Sequence, residues 1–231
     1  MSDLVRFSIE DGVATLLMDD GKANALSDAM MAGLFAALTR AEAEATALVL
    51  AGRPDRFCAG FDLKVMMSGK DAATAMLRMG SDLLMRLYGS PIPIVAACTG
   101  HALAGGALVL CTADVRLGIE GPYKIGLNEV AIGLPVPILA MELARDRLAP
   151  QEFTRGTLFA QIYDPVGAIK AGYLDALAER DELLGKAQAE AKRLGALSRM
   201  AYSASKERMR GRTIKIIRET LESDLSALLG S

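Results

Sequence analysis

Histidine and cysteine are scarce in this chain, at one and three residues among 231. A single histidine, His101, leaves little material for a catalytic triad or a histidine-rich metal site, and no spacing of His and Cys suits metal ligation. Beside a glycine turn it reads as a packing and hydrogen-bonding group. Cys58, Cys98 and Cys111 cannot all pair, and their apolar or glycine-rich surroundings do not form a disulfide framework. They fit a reducing compartment, and the expected localisation is cytoplasmic. No stretch reaches roughly 18 consecutive apolar residues, and no basic segment followed by an apolar one opens the chain, so neither a membrane span nor an export signal is expected. The terminal Leu-Gly-Ser matches no lipidation or peroxisomal signal. A net charge of -2 gives no global attraction to nucleic acid or an acidic membrane. Sequence repeats and low-complexity linkers are absent as well.

What is present is ordinary for a folded chain: 52% hydrophobic and 23% charged residues, enough for a substantial core in one large domain with an appendage. The charge is uneven. Ten Lys and Arg residues but only two acids, Glu190 and Glu207, lie between Lys186 and Arg218. That segment is either a solvated helix face or a site for a phosphorylated ligand.

Val5 to Ile9 and Val13 to Met18 flank Glu10-Asp11-Gly12, which predicts a β-hairpin. Ser27 is placed as an N-cap for a helix running to about Glu44, with Met30, Met31, Leu34 and Leu38 at helical spacing. Leu48 to Ala51 predicts a buried strand, Arg53 to Gly60 a loop, and Leu63 to Met67 a short helix capped by Asp62. Asp71 to Tyr88 predicts an amphipathic helix, ended by Pro91 and Pro93 before a strand at Ile94 to Cys98. A glycine-rich turn, Gly100 to Gly106, then opens an apolar helical segment. Past Pro137 the chain is expected to be almost entirely helical. The fold class is α/β, with right-handed crossovers or a spiral of strand-strand-helix turns. Residues 1–190 form the core and 191–231 a C-terminal helical extension.

Two junctions carry chemical promise. Gly105-Gly106 presents backbone N–H groups at a helix N-terminus, a place that attracts negative charge. Cys58-Ala59-Gly60-Phe61-Asp62-Leu63-Lys64 is a second junction of this kind, where the Phe61 N–H can point outward. Two such donors converging on one oxygen make an oxyanion hole. The turn at Gly100 to Gly106 also has a plainer reading, as glycines that permit close helix-strand packing.

Four motifs, in order along nearly the whole chain, resemble the crotonase superfamily, the enoyl-CoA hydratases and isomerases. They are Asn-Ala-Leu at Asn24 to Leu26, Ala-Gly-x-Asp-Leu-Lys at Ala59 to Lys64, Gly-His-Ala-x-Ala-Gly-Gly at Gly100 to Gly106 with Asp114 following, and Gly-x-x-Glu at Gly126 to Glu129 continuing through Gly133-Leu-Pro135. The resemblance implies a crotonase-like spiral with a trimerising C-terminal segment, a homotrimer or hexamer, and an acyl-CoA thioester as partner. Coenzyme A arrives as part of the substrate, and no further cofactor or metal is implied. The thioester oxygen would lie between the N–H groups of Phe61 and Gly105, with Lys22, Ala23, Ala59, Gly60, Phe61, Asp62, Leu63 and Gly105 around the ligand. Lys22, Lys64 and the basic C-terminal helices are candidates for its phosphates.

The acid-base residue decides the reaction. Hydratases of this family carry a glutamate three residues after the oxyanion glycine, and here that position is Leu108. The family's other glutamate matches Glu129. One carboxylate beside an oxyanion hole suits a proton shuttle, and the pattern is closest to the delta3-delta2-enoyl-CoA isomerases. The carboxylate that dienoyl-CoA isomerases add eight residues on falls at Pro137. Glu129 would remove a proton next to the thioester carbonyl and return one two carbons along. The alternatives are Glu129 as a solvated loop acid, a different crotonase-type reaction (atypical hydration, thioester hydrolysis or decarboxylation), or a non-catalytic CoA- or RNA-binding member. Asp114 is expected to be structural, Asp62 a cap, and the methionines near Met66 and Met76 adaptable core or acyl pocket.

Overall fold

A computed structural model describes residues 4–230. The chain opens with the expected hairpin, β1 (Val5–Glu10) and β2 (Val13–Met18), paired antiparallel from Val5↔Met18 to Glu10↔Val13. Asp11 and Gly12, at φ 50° and 78°, form its two-residue turn, the left-handed geometry that matches strand twist.

Three successive turns of chain then repeat one plan. From β2 the chain passes through a two-residue strand, β3 (Ala25–Leu26), into α1 (Asp28–Glu44), whose first turn is capped by the Ser27 hydroxyl accepting from the Met30 N–H. Next come β4 (Ala47–Ala51), β5 (Asp55–Cys58), β6 (Gly60–Phe61), the single-turn α2 (Leu63–Met66) and α3 (Lys70–Tyr88). The third turn holds β7 (Ile94–Cys98), β8 (Gly100–Leu103) and α4 (Gly105–Thr112), followed by β9 (Val115–Ile119) and β10 (Ile125–Gly126). After α5 (Ile138–Arg147), α6 (Pro150–Thr157) and α7 (Pro165–Ala171), a last short strand, β11 (Ala176–Ala178), precedes α8 (Leu183–Gly195) and the 31-residue α9 (Arg199–Leu229).

Each turn places one strand in a six-stranded sheet, ordered β1-β2-β4-β7-β9-β11 and parallel beyond the hairpin, and another in a smaller layer. β10, β8 and β5 form a parallel three-stranded sheet, and β3 pairs with β6. This is the expected spiral of strand-strand-helix turns. The central strands β4 and β7 are buried at every position, as their uninterrupted apolar sequence requires. Alternate residues serve two cores. Leu48, Leu50, Ile94 and Ala96 face α1, α3 and α4, while Val49, Ala51, Val95 and Ala97 face α8 through Leu183, Ala187 and Ala191. Alanines on that helix face let it lie close to the sheet.

Several expectations change in the structure. The region from Arg53 to Gly60, expected as a loop, contains β5 and the start of β6, and the turn from Gly100 contains β8. The tail past Pro137 includes β11, paired with β9. α8 runs through residue 190 to Gly195 and packs on β2, β4 and β7. α9 folds back on its own chain, against α3 and α5. Two of its basic residues, expected as candidates for ligand phosphates, are instead buried in the fold. Lys206 Nζ lies 2.8 Å and an Arg210 guanidinium nitrogen 2.9 Å from the carboxylate of Asp114, which also accepts the Ile94 N–H at 2.8 Å. Asp114 is thus structural, as expected.

The three cysteines are unpaired and buried. Burial pushes the Cys58 and Cys98 thiols up to about 12 and Cys111 up to about 11, which keeps them inert as packing groups. No described helix is long and apolar enough to cross a membrane.

Candidate active site

The site grows from the contact between β6 and the start of α4. Asn24, fully buried at φ 55°, organises the approach. Its side-chain amide donates to the carbonyls of Met18, Arg56 and Phe57, at 3.0, 3.0 and 3.2 Å. This ties the loop after β2 to the end of β5. Ala59 N–H then donates to Ala23 C=O at 3.1 Å, and Gly60 and Phe61 pair with Ala25 and Leu26. Lys22, Ala23 and Ala59 therefore share one edge; Lys22 and Ala59 are exposed there.

Gly60 has φ +91°, and a Cβ on it would come within 2.9 Å of the Gly105 nitrogen. A Cβ on Gly106 would meet the Cys58 carbonyl oxygen at 2.0 Å. Both contacts demand glycine, the first through conformation as well as space. Ala104, at φ 49° and ψ -123°, turns the chain into α4. The Ala107 and Leu108 N–H groups both return to the Ala104 carbonyl, and the helix itself offers no acceptor to the N–H groups of Gly105 and Gly106. The Phe61 ring lies across α3 at Gly80, where a Cβ would approach it to 2.2 Å. Asp62 turns aside to cap α2, accepting the Lys64 N–H at 2.9 Å.

Beside this junction is a cavity of about 170 Å³, lined by Ala59, Phe61 and Leu63, by Ala104 before α4 and Leu108 within it, and by Asn128 and Glu129. Leu108 is 3% exposed. Met66 joins the lining, while Met76 is buried core.

Glu129 follows β10 and leads into a short 3-10 turn, Val130–Ile132. Its carbonyl accepts the N–H groups of Ile132 and Leu134 at 3.1 and 2.9 Å, which fixes the residue at the cavity. Among the described residues its buried Oε2 has no hydrogen-bond partner, and neither has the buried Oδ1 of the adjacent Asn128. That burial excludes the solvated loop acid. Burial also raises the proton affinity of Glu129 above that of an ordinary glutamate, against smaller opposing hydrogen bonds from its own and the Asn128 backbone. No described ion pair engages it. A carboxylate in an apolar wall is a candidate proton-transfer group.

Sequence reading missed three contributors. Asn128 lines the cavity beside Glu129 and carries no sequence signal of its own. Ser81 of α3 and Asp224 of α9 line the cavity from distant parts of the chain. Asp224 accepts the Ile138 N–H at 2.7 Å and so caps α5, whose own N-cap, Pro137, has no side chain to do so. His101 performs the expected packing role: its Nδ1 accepts the Lys124 N–H at 3.0 Å and its ring meets Tyr123 edge-on.

A strand-strand-helix spiral with glycine-fitted strand-to-helix junctions beside an apolar cavity, and a buried acid in its wall, defines a class of α/β enzyme. Residues 8–228 match the family model described as enoyl-CoA hydratase/isomerase, and the chain belongs to that family. A crystal structure of an enoyl-CoA hydratase/isomerase family protein from Pseudomonas syringae superposes with a TM-score of 0.96 at 40% identity, covering 98% of this chain and 99% of that one. Among curated proteins, a probable enoyl-CoA hydratase of Mycobacterium tuberculosis is 32% identical over 90% of this chain and 82% of its own length. Human mitochondrial enoyl-CoA delta isomerase 1 is 27% identical over 87% of this chain and 68% of its own. The crotonase fold and an enzyme of the enoyl-CoA hydratase/isomerase kind are thereby shown, with relatives of both names.

Proposed function

We propose that the protein is an enoyl-CoA isomerase that moves a double bond from position 3 to position 2 of an acyl-CoA thioester. One observation carries the reading: Glu129 stands in the cavity wall with a free carboxylate oxygen and raised proton affinity, while the position where hydratases carry a second acid is the buried Leu108. Asp224, the other acid on the cavity, is already engaged as the cap of α5.

In this mechanism the thioester oxygen sits between the N–H groups of Phe61 and Gly105. The Glu129 carboxylate takes a proton from the carbon next to the thioester carbonyl, and the electron pair passes into a dienolate whose oxygen those N–H groups stabilise. The protonated Glu129 then delivers a proton two carbons along, and the conjugated 2-enoyl thioester leaves with Glu129 ionised again. Each oxyanion donor is worth ~10²- to 10³-fold in rate and the shuttle ~10²- to 10⁴-fold. Coenzyme A enters as part of the substrate, and the edge formed by Lys22, Ala23 and Ala59 is its proposed seat. The active assembly is a homotrimer or hexamer, a reading supported by the apolar side chains of Leu158 and Phe159, 55% and 70% exposed in the single chain.

The test is to supply a 3-enoyl-CoA and, separately, a 2-enoyl-CoA. Conjugated product from the first and no water addition to the second is the expected pair of results. Formation of 3-hydroxyacyl-CoA as the main product would favour hydratase activity, which the hydratase-named relative keeps in view.

A further inference from the structure

We infer that Asn128 is a positioning residue for the proton shuttle: its side-chain oxygen accepts the O–H of Glu129 while Glu129 carries the proton taken from the substrate. This rests on the isomerisation proposed for Glu129 and adds a second residue to it.

The segment that carries both residues is held from two sides. Gly126 C=O accepts the Ala104 N–H at 3.0 Å, which ties the segment to the turn that opens α4. Ile125 exchanges two hydrogen bonds with Tyr163, each at 2.9 Å, and Leu127 is fully buried. Asn128 and Glu129 follow as neighbours in the cavity wall. The Glu129 carboxylate turns back toward the backbone N–H groups of residues 128 and 129, which keeps it next to residue 128. Among the described residues its titratable neighbours are Asp224, which shares the cavity and caps α5, and Tyr173. Burial first, and then neighbouring charges that include Glu129, hold the Tyr173 phenol above its usual range and so protonated.

Asn128 Oδ1 and Glu129 Oε2 are both buried without a partner among the described residues, an uncommon state for buried polar atoms. The cavity's other polar side chains do not serve them: Asp224 is occupied by the Ile138 N–H, and Ser81 donates to neither. Both oxygens are acceptors while Glu129 is ionised, and two acceptors cannot bond each other. A proton on Glu129 changes this. Its carboxyl then has one O–H to donate, and the unfilled acceptor on the adjacent residue can receive it. The pair is therefore mismatched at the start of the cycle and matched in its middle, when the dienolate is present. A hydrogen bond of this kind favours the protonated form and steadies the acid between the two carbons it serves.

The experiment titrates the Glu129 carboxyl in the full chain by carbon-13 NMR, its signal assigned by its loss in Glu129→Gln, and follows the acidic limb of kcat/KM for a 3-enoyl-CoA beside it. Asn128→Leu, of similar size, removes the acceptor without opening the site to water. Both midpoints should fall by about one pH unit, and kcat should fall about five- to tenfold with KM little changed. Asn128→Asp keeps the shape and the acceptor but adds a like charge, so the midpoint, now a property of the pair, should rise. A role in folding alone would lower the melting temperature and leave the midpoint of each folded variant where it was. Midpoints that stay put in both variants overturn the inference. So does a rise in Asn128→Leu, which would mean that the amide donates to the ionised carboxylate instead. If the NMR midpoints move in opposite directions as stated while no 3-enoyl-CoA is converted, the Asn128 inference stands and the isomerase reading falls.

Discussion

A carboxylate in an apolar wall with one oxygen unpartnered weakens a fold while it sharpens a proton acceptor, and Glu129 is such a group. Its proton affinity is raised in the folded protein, so the folded state is favoured when the group is protonated, and that advantage is lost as pH rises through the raised value. Glu129→Gln should therefore keep or raise the melting temperature at neutral pH while kcat/KM falls by at least ~10²-fold; a thermal melt and an initial-rate assay on one preparation measure both. In the wild type, kcat/KM should rise with pH along an acidic limb whose midpoint lies above the ordinary glutamate value of about 4.3, and a limb centred at or below that value would show that burial does not tune the residue. Gly80 makes a second test at this scale. A methyl there would stand 2.2 Å from the Phe61 ring, so Gly80→Ala should displace the ring from the cavity wall and cost about 1–3 kcal/mol, read by urea unfolding, together with a loss of activity.

At the scale of elements, α9 is held by charge as well as by packing. Burial alone would raise the Asp114 carboxyl, and Lys206 and Arg210 more than offset this, leaving it below the usual carboxylate range. Burial likewise lowers Lys206 to about 8 despite the attraction of Asp114. Asp114→Asn leaves two cations buried without their anion and should cost about 3–5 kcal/mol, whereas Lys206→Met, which replaces a buried charge by an apolar chain, should cost less; urea midpoints rank the two. Because the Asp114 value is depressed in the folded state, its contribution is present above about pH 3.9 and lost as pH falls through the folded value. This ion cluster also marks where sequence reading stops. The elements with strong local signals were legible: the Asp11-Gly12 hairpin, the Ser27 cap, the apolar runs of β4 and β7, and the proline stop before β7. β5, β8 and β11 were not, since each is only three or four residues long and exists through parallel partners far along the chain. The Ala-Leu-Ala of β11 has no β-branched residue to betray it. For the site, Glu129 and the Gly60–Gly105 junction could be read because the motifs are local and continuous. Ser81 and Asp224 reach the cavity only through tertiary packing, and a basic stretch such as Lys206 to Arg210 looks the same whether it meets solvent or a buried acid.

The whole molecule leaves apolar surface that a single chain does not cover. Leu158 and Phe159 follow α6, and Met200 and Met209 on α9 are 82% and 73% exposed. Scattered apolar residues need no partner, but two large ones adjacent in a helix-ending turn are costly to leave in water, at ~25 cal/mol per Å² of apolar area. Their burial between copies is the proposed source of assembly. Symmetry makes the same patch recur in every protomer, so one substitution acts at every interface of a closed ring. Sedimentation equilibrium should return three or six times the 24.4 kDa chain mass. Phe159→Asp places a charge in each proposed interface and should shift the mass toward a single chain. Its far-ultraviolet circular dichroism should stay unchanged, because residue 159 is 70% exposed within the protomer. A wild-type mass of one chain, or a Phe159→Asp variant that folds and keeps the full assembly mass, would remove this surface from the account of assembly and leave the chemistry at Glu129 to stand on the single chain.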